Sequence, residues 1–420
     1  MINVGLLGLG TVGSGVYEIL NNEENNLKKL LGKDISVKKI LVNDINKKRQ
    51  VELPKDILTT NPYDILHDDN IHIVVEVIGG IDKAHEYICE AFKNNKHVVT
   101  ANKAVVAKYM DEFLFLSNKY EKGFLFEASV AGGIPIIKPL KQNVRINNIS
   151  EIKGILNGTT NFILTKMIDD GLGFDEALKL AQELGYAEAD PTDDVEGFDV
   201  KRKLAILASI AFNNQIDVDS IKCSGITNIN TLDISMFKKL GASVKLVGSA
   251  LSSGNKVSAS VEPVLVNKNS TMATVKGAFN IVSIVGDTIG QLQFYGQGAG
   301  KKPTANAVVC DIYDIISGQY KTDHFIQNGN MREADLDLFN SKYYLRVNTK
   351  NISRVLGMLD KNHIQKFTIM SMKNNLVLIT DNTSAKSIEI ISSQLNTIGD
   401  DFSIVRLEDD LNTNALCIGI

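Results

Sequence analysis

Short apolar runs alternate with helical patterns along the first 145 residues. The runs are INVGLL (2–7), SVKKILV (36–42), HIVVEVI (72–78), KHVVT (96–100) and FLFE (124–127). Their β-branched and aromatic content favours strands, and helical patterns lie between them at 12–20, 82–95 and 104–121. Because strands that alternate with helices form parallel sheets, residues 1–145 are predicted to be an α/β domain with a doubly wound parallel sheet.

A different pattern begins near residue 146. ISEIKGIL (149–156) is predicted to be a strand, two or three helices follow it, and the last of these helices runs from Gly197 to about Phe212. SVKLVGSAL (243–251) and KVSASVEPVLV (256–266) alternate between apolar and polar positions, as sheet strands do. Residues 146–320 are therefore predicted to form an α+β domain on a mostly antiparallel or mixed sheet.

The end of the chain contains three further segments. An apolar helix is predicted at 304–317 and is expected to pack back toward the first domain. Residues 321–342 are polar and are interpreted as a linker. Residues 343–420 read strand, helix, strand, strand, helix, strand, which predicts a small module of the regulatory type.

The composition narrows the possible functions. Hydrophobic residues make up 44% of the chain and charged residues 22%, which is typical of a globular protein. A formal net charge of -4 gives no broad positive surface for nucleic acid or an anionic membrane, and no apolar run reaches the roughly 18 residues of a membrane-spanning helix. The start, MINVGLLGLG, lacks the basic segment of a signal peptide, so a cytoplasmic location is expected.

Cysteine and histidine usage gives two further expectations. The four cysteines, Cys89, Cys223, Cys310 and Cys417, are far apart and form no C-x-x-C pair, which is typical of reduced thiols. The six histidines are equally scattered, and none is expected to share a cluster with a cysteine. A zinc-dependent chemistry is therefore not expected.

A glycine-rich turn follows the first predicted strand. Gly8, Gly10 and Gly13 have the G-x-G-x-x-G spacing, with Thr11 and Val12 between the last two. In this motif the first glycine permits the tight turn, the second lets a pyrophosphate approach the backbone, and the third lets the helix pack on the strand. The motif lies between a strand and a helix, which favours a Rossmann-type dinucleotide site over a simple βα turn.

Two lysines are candidates for the chemistry. Asp199 and Lys203 are spaced i, i+4 beside the apolar side of one helix, where a partly buried lysine has a tunable proton affinity. An exposed ion pair is the alternative, and the spacing by itself favours it. Lys103, in VVTANKAVV, follows a strand at the edge where α/β sheets bind ligands; a helix-capping loop with Asn102 as the cap is the alternative.

Two glycine-containing stretches have both a structural and a functional interpretation. In NGTTNF (157–162), Thr159 or Thr160 as the helix N-cap explains the sequence, and a substrate carboxylate at the same helix N-terminus is the functional alternative. In EASVAGGIPIIKPL (127–140), a glycine turn could direct backbone carbonyls inward, and with Glu127 these could ligate a hard cation.

Together these stretches resemble homoserine dehydrogenase over nearly the whole chain. GLGTVG, TANKAVVA, EASVAGGIPII, GILNGTTN, YAEADPTDDVEGFDVKRKLAIL and GQGAG occur in the order of that family. The resemblance implies an NAD(P)-dependent oxidoreductase that interconverts L-aspartate 4-semialdehyde and L-homoserine on the route to threonine, isoleucine and methionine. It also implies that residues 146–320 bind the substrate and form a homodimer or homotetramer.

The resemblance further implies roles for particular residues. Lys203 would be the acid/base lysine at the reacting oxygen, with Asp199 beside it, and Lys103 would be a second lysine near the nicotinamide. The remaining implied residues are Glu188 for the substrate ammonium, Asp194 and Tyr186 for the pocket, Gly300 for the nicotinamide end of the cofactor, and Glu127 with the carbonyls of Val130, Gly132 and Ile134 for a structural sodium ion.

Two segments depart from the family pattern. In LVNDINKKR (41–49), Asn43 stands where the family often has an arginine for the 2′-phosphate of NADP, so Asp44 favours NAD while Lys47, Lys48 and Arg49 could still bind a phosphate. Residues 343–420 resemble an ACT domain of the ferredoxin type, but Arg354 replaces the glycine of the effector turn. Weak or absent inhibition by threonine is therefore predicted.

Two other functions compete with this one. An aspartate-semialdehyde dehydrogenase would need a nucleophilic cysteine with a base near it, and no cysteine here has that context. A non-catalytic sensor of NAD(P) and amino acids would not need Glu188, Asp199, Lys203 and Lys103 together. The joint presence of these residues favours the enzyme.

Overall fold

The computed structural model describes residues 1–22, 27–49, 51–54, 56–322, 333–334, 338–364, 366–372, 374–408 and 411. These residues fall into two units. Unit 1 comprises the described parts of Met1–Asn148, Ala205–Val218 and Phe294–Gly329, and unit 2 those of Ile149–Leu204, Asp219–Gln293 and Asn330–Ile420.

The strands and helices of the described residues are numbered in chain order. The strands are β1 (Ile2–Leu7), β2 (Ile35–Leu41), β3 (Leu58–Thr59), β4 (Ile73–Glu76), β5 (His97–Thr100), β6 (Phe124–Leu125), β7 (Ile149–Ile155), β8 (Lys222–Cys223), β9 (Ala242–Ser253), β10 (Lys256–Asn267), β11 (Phe279–Gly286), β12 (Gly290–Gln297), β13 (Glu333–Ala334), β14 (Asn340–Ser341), β15 (Tyr343–Asn348), β16 (Lys366–Met372), β17 (Asn375–Thr380), β18 (Thr383–Ser384) and β19 (Asp401–Leu407). The helices are α1 (Thr11–Leu20), α2 (Leu27–Leu31), α3 (Tyr63–Leu66), α4 (Asp82–Lys93), α5 (Lys103–Tyr120), α6 (Ile137–Asn143), α7 (Gly158–Asp169), α8 (Phe174–Glu183), α9 (Thr192–Val195), α10 (Phe198–Phe212), α11 (Thr231–Lys239), α12 (Thr271–Thr274), α13 (Lys301–Ile316), α14 (Ile352–Lys361) and α15 (Ala385–Ile398).

Unit 1 contains the predicted parallel sheet. Its strand order is β3-β2-β1-β4-β5-β6, and every pair is parallel. The four residues of β4 are all buried, as expected for a strand covered on both faces. The order reverses between β1 and β4, which is the switch point where such sheets bind their ligands. The strand predicted at FLFE is shorter than expected, because a 3₁₀ turn, Glu127–Ser129, replaces its end.

Helix α13 belongs to unit 1, although it begins some 150 residues after Asn148, where the first segment of that unit ends. It begins at Lys301, three residues before the predicted start, and it packs against α1. A Cβ atom on Gly15 would lie 2.8 Å from the Cβ atom of Ala305, so the two helices approach each other closely at a glycine. Val16, Val308 and Ile312 are fully buried in the core that forms there.

Unit 2 is built on one mixed sheet with the order β12-β11-β7-β9-β10-β19-β15-β17-β16. Strands β9 and β10 form a long antiparallel hairpin, and β7 pairs with β9 in the same sense. Strand β19 joins β10 in parallel through Val264 and Leu265, so the sheet is mixed as predicted. The sequence did not identify β11 and β12, which follow the hairpin and extend the sheet beyond β7.

The C-terminal elements occur in the predicted order. They are β15, α14, β16, β17, α15 and β19. The four strands form a sub-sheet with the order β19-β15-β17-β16 within the larger sheet. Apolar residues of both helices and of β15 and β17 form a separate core there. The segment predicted as a linker includes β13 and β14, and residues 323–332 and 335–337 of it lie outside the described residues, as does most of the chain after 408, including Cys417.

No helix among the described residues has the length and apolarity that crossing a membrane requires.

Candidate active site

The glycine-rich turn of unit 1 has the geometry of a dinucleotide loop. Gly8 has a φ of 111°, and a Cβ atom there would lie 2.8 Å from the carbonyl oxygen of Val77. A Cβ atom on Gly13 would lie 2.3 Å from the carbonyl oxygen of Gly8, so both positions require glycine. Gly10 precedes α1 and has no atom within 4 Å of its Cβ position. The loop is thus closed behind Gly8 and Gly13 and open at Gly10, which fits a pyrophosphate at the N-terminus of α1.

The turn after β2 carries a carboxylate, and β2 pairs with β1, the strand that leads into the glycine-rich turn. Asp44 is exposed, and its Oδ1 atom accepts the backbone N–H of Asn46 at 2.8 Å. The guanidinium of Arg49 donates to the carbonyl oxygens of Ile45 and Lys47, at 3.2 and 2.7 Å, and to that of Asp44. Arg49 is therefore folded back onto its own turn. A ribose hydroxyl at Asp44 and a phosphate near the lysines both remain compatible with this geometry.

Lys103 is the first residue of α5 and is half-buried. Asn102 caps this helix, in agreement with the alternative interpretation of the segment, because its Oδ1 atom accepts the N–H groups of Ala104 and Val105 at 3.2 and 3.3 Å. The Nδ2 atom of Asn102 donates to the carbonyl of Gly80 at 2.7 Å, which ties the cap to the loop after β4. Lys103 therefore lies at the carboxyl end of the parallel sheet, where α/β folds bind ligands.

Glu76 is a residue of this edge that the sequence analysis did not single out. Its carboxylate is fully buried, and it accepts the hydroxyl of Thr100 at 2.6 Å and the backbone N–H of Ile78 at 2.9 Å. Burial raises the pKa of Glu76, while these hydrogen bonds oppose that rise. A single acid within the apolar run HIVVEVI was the available signal, since a buried carboxylate in a strand needs partners.

The predicted lysine–carboxylate pair of unit 2 is buried. Only 12% of the Lys203 side chain and 4% of the Asp199 side chain are exposed. The Nζ atom of Lys203 donates to Oδ2 of Asp199 at 2.7 Å and to the carbonyl oxygen of Leu156 at 2.8 Å. An ammonium group has three N–H donors, and the third has no acceptor in the part of the chain that the structure describes. The alternative of an exposed ion pair is thus wrong.

Asn157 holds this pair in place. Its Nδ2 atom donates to Oδ1 of Asp194 at 2.7 Å and to Oδ2 of Asp199 at 2.9 Å. Its Oδ1 atom accepts the backbone N–H of Thr160 at 2.8 Å, so Asn157 is the N-cap of α7. The prediction that Thr159 or Thr160 is the cap is wrong, because helix α7 begins at Gly158 and both threonines lie inside it. Asparagine is a preferred N-cap, and its position directly before Gly158 was a signal that could have identified it.

The pocket residues Asp194 and Tyr186 are connected to this network. The hydroxyl of Thr159 donates to the carbonyl oxygen of Tyr186 at 2.7 Å, and the Tyr186 ring packs on Phe162 with the ring centroids 4.7 Å apart. Burial raises the pKa of Asp194 and the carboxylate of Asp199 adds to the rise, while the Asn157 amide opposes it. The two neighbouring carboxylates therefore share the Asn157 amide, and the Lys203 ammonium group donates to Asp199.

The other carboxylates of the acidic stretch have different surroundings. Asp190 accepts the N–H and hydroxyl of Thr192 in a turn, Asp193 pairs with Arg202, and Glu196 accepts the hydroxyl of Thr227. The Glu188 side chain is exposed and makes no hydrogen bond or ion pair with a described residue, while its backbone carbonyl accepts the side-chain amide of Gln182 at 3.1 Å. Glu188 is thus the acid of this stretch that remains available for an ammonium group of a ligand.

The predicted cation loop and Gly300 lie in unit 1. Ala131 and Gly132 have φ values of 56° and 53°, and a Cβ atom on Gly132 would lie 2.6 Å from the carbonyl oxygen of Gly298. The loop therefore packs on the second glycine cluster, whose Gly300 precedes α13 with a φ of 118°.

The Glu127 carboxylate accepts the backbone N–H groups of Ile136, Ile137 and Lys138 at 2.6, 2.6 and 2.8 Å. These contacts are those of an anion at a helix N-terminus. The Glu127 carboxylate therefore holds the start of α6.

One expectation about cysteine and histidine is wrong. His85 and Cys89 lie one helical turn apart on α4, and they meet Glu112 of α5. The i, i+4 spacing of His85 and Cys89 within the helix predicted at 82–95 was the available signal for that pair, whereas Glu112 is 23 residues from Cys89 and comes from a separate helix.

The two units thus combine a dinucleotide loop with a second fold that holds a buried lysine beside a carboxylate. This combination defines a nicotinamide-dependent oxidoreductase.

Comparison with known proteins gives the family. The homoserine dehydrogenase model matches residues 135–313, and the NAD-binding domain model of homoserine dehydrogenase matches residues 8–127. The homoserine dehydrogenase of Bacillus subtilis is 39% identical over 413 residues, covering 94% of this chain and 95% of the relative. That of Synechocystis is 46% identical over 319 residues, covering 75% and 73%. The chain belongs to the homoserine dehydrogenase family.

Solved structures agree with this assignment. The crystal structure of a homoserine dehydrogenase from Thiobacillus denitrificans matches with a TM-score of 0.87 at 36% identity, covering 97% of this chain and 98% of that one. A hyperthermophilic archaeal homoserine dehydrogenase in complex with NADPH matches with a TM-score of 0.63 at 26% identity, covering 76% and 98%. The family and the NAD-binding domain make this chain an NAD(P)-dependent oxidoreductase.

Proposed function

We propose that this chain interconverts L-homoserine and L-aspartate 4-semialdehyde, with Lys203 as the acid/base group. The observation that carries the proposal is the position of the Lys203 ammonium, which is nearly buried and held by Asp199 and by the carbonyl of Leu156. Two of its three N–H donors are used, so the third is available to an oxygen of the substrate.

The chemistry follows from this arrangement. A nicotinamide cofactor supplies the hydride in reduction and accepts it in oxidation. In reduction, Lys203 stabilises the negative charge that develops on the carbonyl oxygen and protonates it. In oxidation, Lys203 takes the hydroxyl proton. Asp199 keeps the Nζ atom in one orientation in both directions, because Asn157 fixes its carboxylate in turn.

Substrate recognition needs partners for a zwitterion. Glu188 is exposed and unpaired among the described residues, so it is the proposed partner of the substrate ammonium. The N-terminus of α7, beside Asn157, is the proposed partner of the substrate carboxylate. Asp194 and Tyr186 line the same pocket in this proposal, and Lys103 acts at the nicotinamide end.

Assembly, pathway and cation binding belong to the same proposal. The family implies a homodimer or homotetramer, a cytoplasmic enzyme of threonine, isoleucine and methionine synthesis, and a sodium ion at the loop of Val130, Gly132 and Ile134. The left-handed backbone at Gly132 and its close packing on Gly298 support a fixed loop that presents carbonyl oxygens.

A pair of matched lysine variants tests the proposal. Lys203→Met keeps the approximate length of the side chain and removes the donor. Lys201→Met changes a half-buried lysine of the same helix whose side chain makes no hydrogen bond to a described residue. Absorbance at the NAD(P)H band is followed with L-homoserine, using NAD and NADP separately. We expect kcat of Lys203→Met to fall by about 10²–10⁴, which is the contribution of acid–base catalysis, and that of Lys201→Met to stay close to wild type.

Two results would count against this function. Near-normal turnover by Lys203→Met at every pH would remove Lys203 from the reacting oxygen. No turnover by folded wild type that still binds a cofactor would favour the sensor function instead. Faster turnover with NAD would indicate that Asp44 binds a ribose hydroxyl, and faster turnover with NADP would indicate that Arg49 contributes to binding the 2′-phosphate.

A further inference from the structure

A histidine, a cysteine and a glutamate from two helices of unit 1 converge on one point. His85 and Cys89 are spaced i, i+4 on α4 and so share a face of that helix, and Glu112 reaches them from α5. The Nε2 atom of His85 lies 2.8 Å from Oε2 of Glu112 and 3.6 Å from Sγ of Cys89. Sγ of Cys89 lies 3.7 Å from Oε1 of Glu112.

We propose that His85, Cys89 and Glu112 bind a zinc ion, with water in the fourth position. Imidazole nitrogen, thiolate sulfur and carboxylate oxygen are the ligands that zinc prefers, and three protein ligands with one open position are a common arrangement. This site is independent of the dehydrogenase reaction proposed above, since none of its three residues is assigned a role there.

The distances fit this assignment. Tetrahedral zinc with bonds of about 2.0 Å to nitrogen and oxygen and about 2.3 Å to sulfur separates its ligand atoms by about 3.3 to 3.6 Å. The two distances to Sγ of Cys89, 3.6 and 3.7 Å, are already close to this range. The distance from His85 to Glu112 would have to increase by about half an ångström, and the exposed Glu112 side chain can make that movement.

The surroundings prepare the site for an ion. The His85 ring packs against Tyr109 in a tilted arrangement, with centroids 4.1 Å apart, and also contacts Phe113, so two rings restrict its orientation. Cys89 is buried, while 46% of the Glu112 side chain is exposed and provides a path from solvent. Burial and the Glu112 carboxylate raise the pKa of Cys89 to about 12, so without an ion the thiol keeps its proton. The zinc ion would replace that proton, as it does in binding any thiol.

The effect of the ion would be structural. Helix α5 departs from helical geometry at Tyr109, where φ is −125° and ψ is 19°. Glu112 lies after this kink, so an ion bound by all three residues would fix the second half of α5 to α4. The fixed geometry would add to unit 1 the stabilisation that a structural metal gives.

A second histidine–carboxylate pair in unit 1 gives a matched control. Nε2 of His67 lies 3.0 Å from Oε1 of Glu90, and among the described residues no hydrogen bond joins the side chains of this pair to a cysteine thiol. His67→Ala therefore removes the same kind of ion pair without removing a proposed ligand. Glu112→Gln tests a ligand at an exposed position, where the change is expected to leave the fold intact.

Cobalt(II) is the probe, because a thiolate bound to cobalt gives a charge-transfer absorption that carboxylate and imidazole do not. The metal-free full-length protein is titrated with cobalt(II) and then with zinc, which displaces cobalt. We expect one equivalent of cobalt with that absorption in wild type and in His67→Ala, and its loss in Cys89→Ser. Loss of a residue that only supports a metal ligand lowers metal affinity by roughly 10–100-fold. His85→Ala and Glu112→Gln remove proposed ligands, so each should lower zinc affinity by at least that factor.

Three outcomes would overturn the site. One is the absence of thiolate–cobalt absorption in folded wild type. Another is the same absorption in Cys89→Ser, which would assign it to Cys223, Cys310 or Cys417. The third is unchanged zinc affinity in Glu112→Gln, checked for folding by circular dichroism. If Cys89→Ser does not fold, Glu112→Gln and His85→Ala decide the question.

Discussion

Replacing Asn157 is expected to impair both the stability of unit 2 and the reaction, because one side chain serves both. Its Oδ1 atom caps α7 through Thr160, and its Nδ2 atom donates to Asp194 and Asp199. Asn157→Ala removes all three contacts and leaves two neighbouring carboxylates, one of them 3% exposed, without their shared amide.

The expected loss of stability can be worked from these contacts. An N-cap contributes about 1 kcal/mol, and each hydrogen bond to a charged group about 1.5–3 kcal/mol, so the sum is about 4–7 kcal/mol. This sum is an upper bound, since Asp199 keeps its contact with Lys203 and water can reach the vacated space. Urea unfolding followed by circular dichroism measures the loss.

Asn230→Ala is the matched control in the same unit. Asn230 caps α11 through the N–H groups of Leu232 and Asp233, and its amide makes no hydrogen bond to another described side chain. We expect a loss of about 1 kcal/mol for the cap and an unchanged kcat. Asn157→Ala should lower the urea midpoint further and reduce kcat by about 100-fold, the cost of about 1 Å of misplacement, with KM for the cofactor unchanged.

Asn157→Asp separates the cap from the amide. An aspartate still accepts the N–H of Thr160, so the cap is retained, but it places a third carboxylate beside Asp194 and Asp199. Three carboxylates favour the uptake of a proton, and the protonated form can donate one hydrogen bond. The kcat of this variant relative to wild type should therefore rise as pH falls. The reasoning is refuted if Asn157→Ala matches Asn230→Ala in both urea midpoint and kcat.

Three further predictions follow from the same kind of reasoning. Gly13→Ala places a Cβ atom 2.3 Å from the carbonyl oxygen of Gly8 and should lower Tm, whereas Gly10→Ala meets no atom within 4 Å and should keep Tm while raising KM for the cofactor. Burial lowers the pKa of Lys245 to about 8 from an ordinary value of 10.5, so between these pH values the folded state binds fewer protons than the unfolded chain. The free energy of unfolding should therefore rise with pH in this range by about 3 kcal/mol. The urea midpoint of Lys245→Met should lack this rise. L-Threonine should leave the initial rate of wild type unchanged, and clear inhibition that is lost on deleting residues 343–420 would contradict this.

The parts of the fold that the sequence predicted are those encoded locally. Five of the six strands described in the parallel sheet, all except the two-residue β3, lie in short apolar runs that the sequence predicted, and the glycine motif specifies its own turn within six residues. The cap at Asn102 was one of two interpretations of its segment, and it was recognisable because the capping residue and the N–H groups that it accepts are close in sequence. Local patterns of this kind need no knowledge of which distant segments meet.

The parts that were missed depend on distant pairs. The Asn157 amide meets carboxylates 37 and 42 residues away, and His85 meets Glu112 27 residues away. The edge strand β12 alternates between exposed and half-buried residues, so its apolar content is too low to mark it as a strand. Each of these features becomes visible only when the packing of separate elements is known.

The Asp199–Lys203 pair shows why spacing alone could not identify the site. Lys166–Asp170 and Lys179–Glu183 have the same i, i+4 spacing on α7 and α8, but their side chains are 31% and 46%, and 78% and 61%, exposed. Pairs of that kind contribute about 0.3–0.5 kcal/mol to a helix. Lys203 differs because α10 buries that turn and because Leu156 and Asn157 supply a carbonyl and an amide to the pair. A buried charge pair is retained only with such additional hydrogen bonds, and the same bonds fix the orientation of the Lys203 ammonium group.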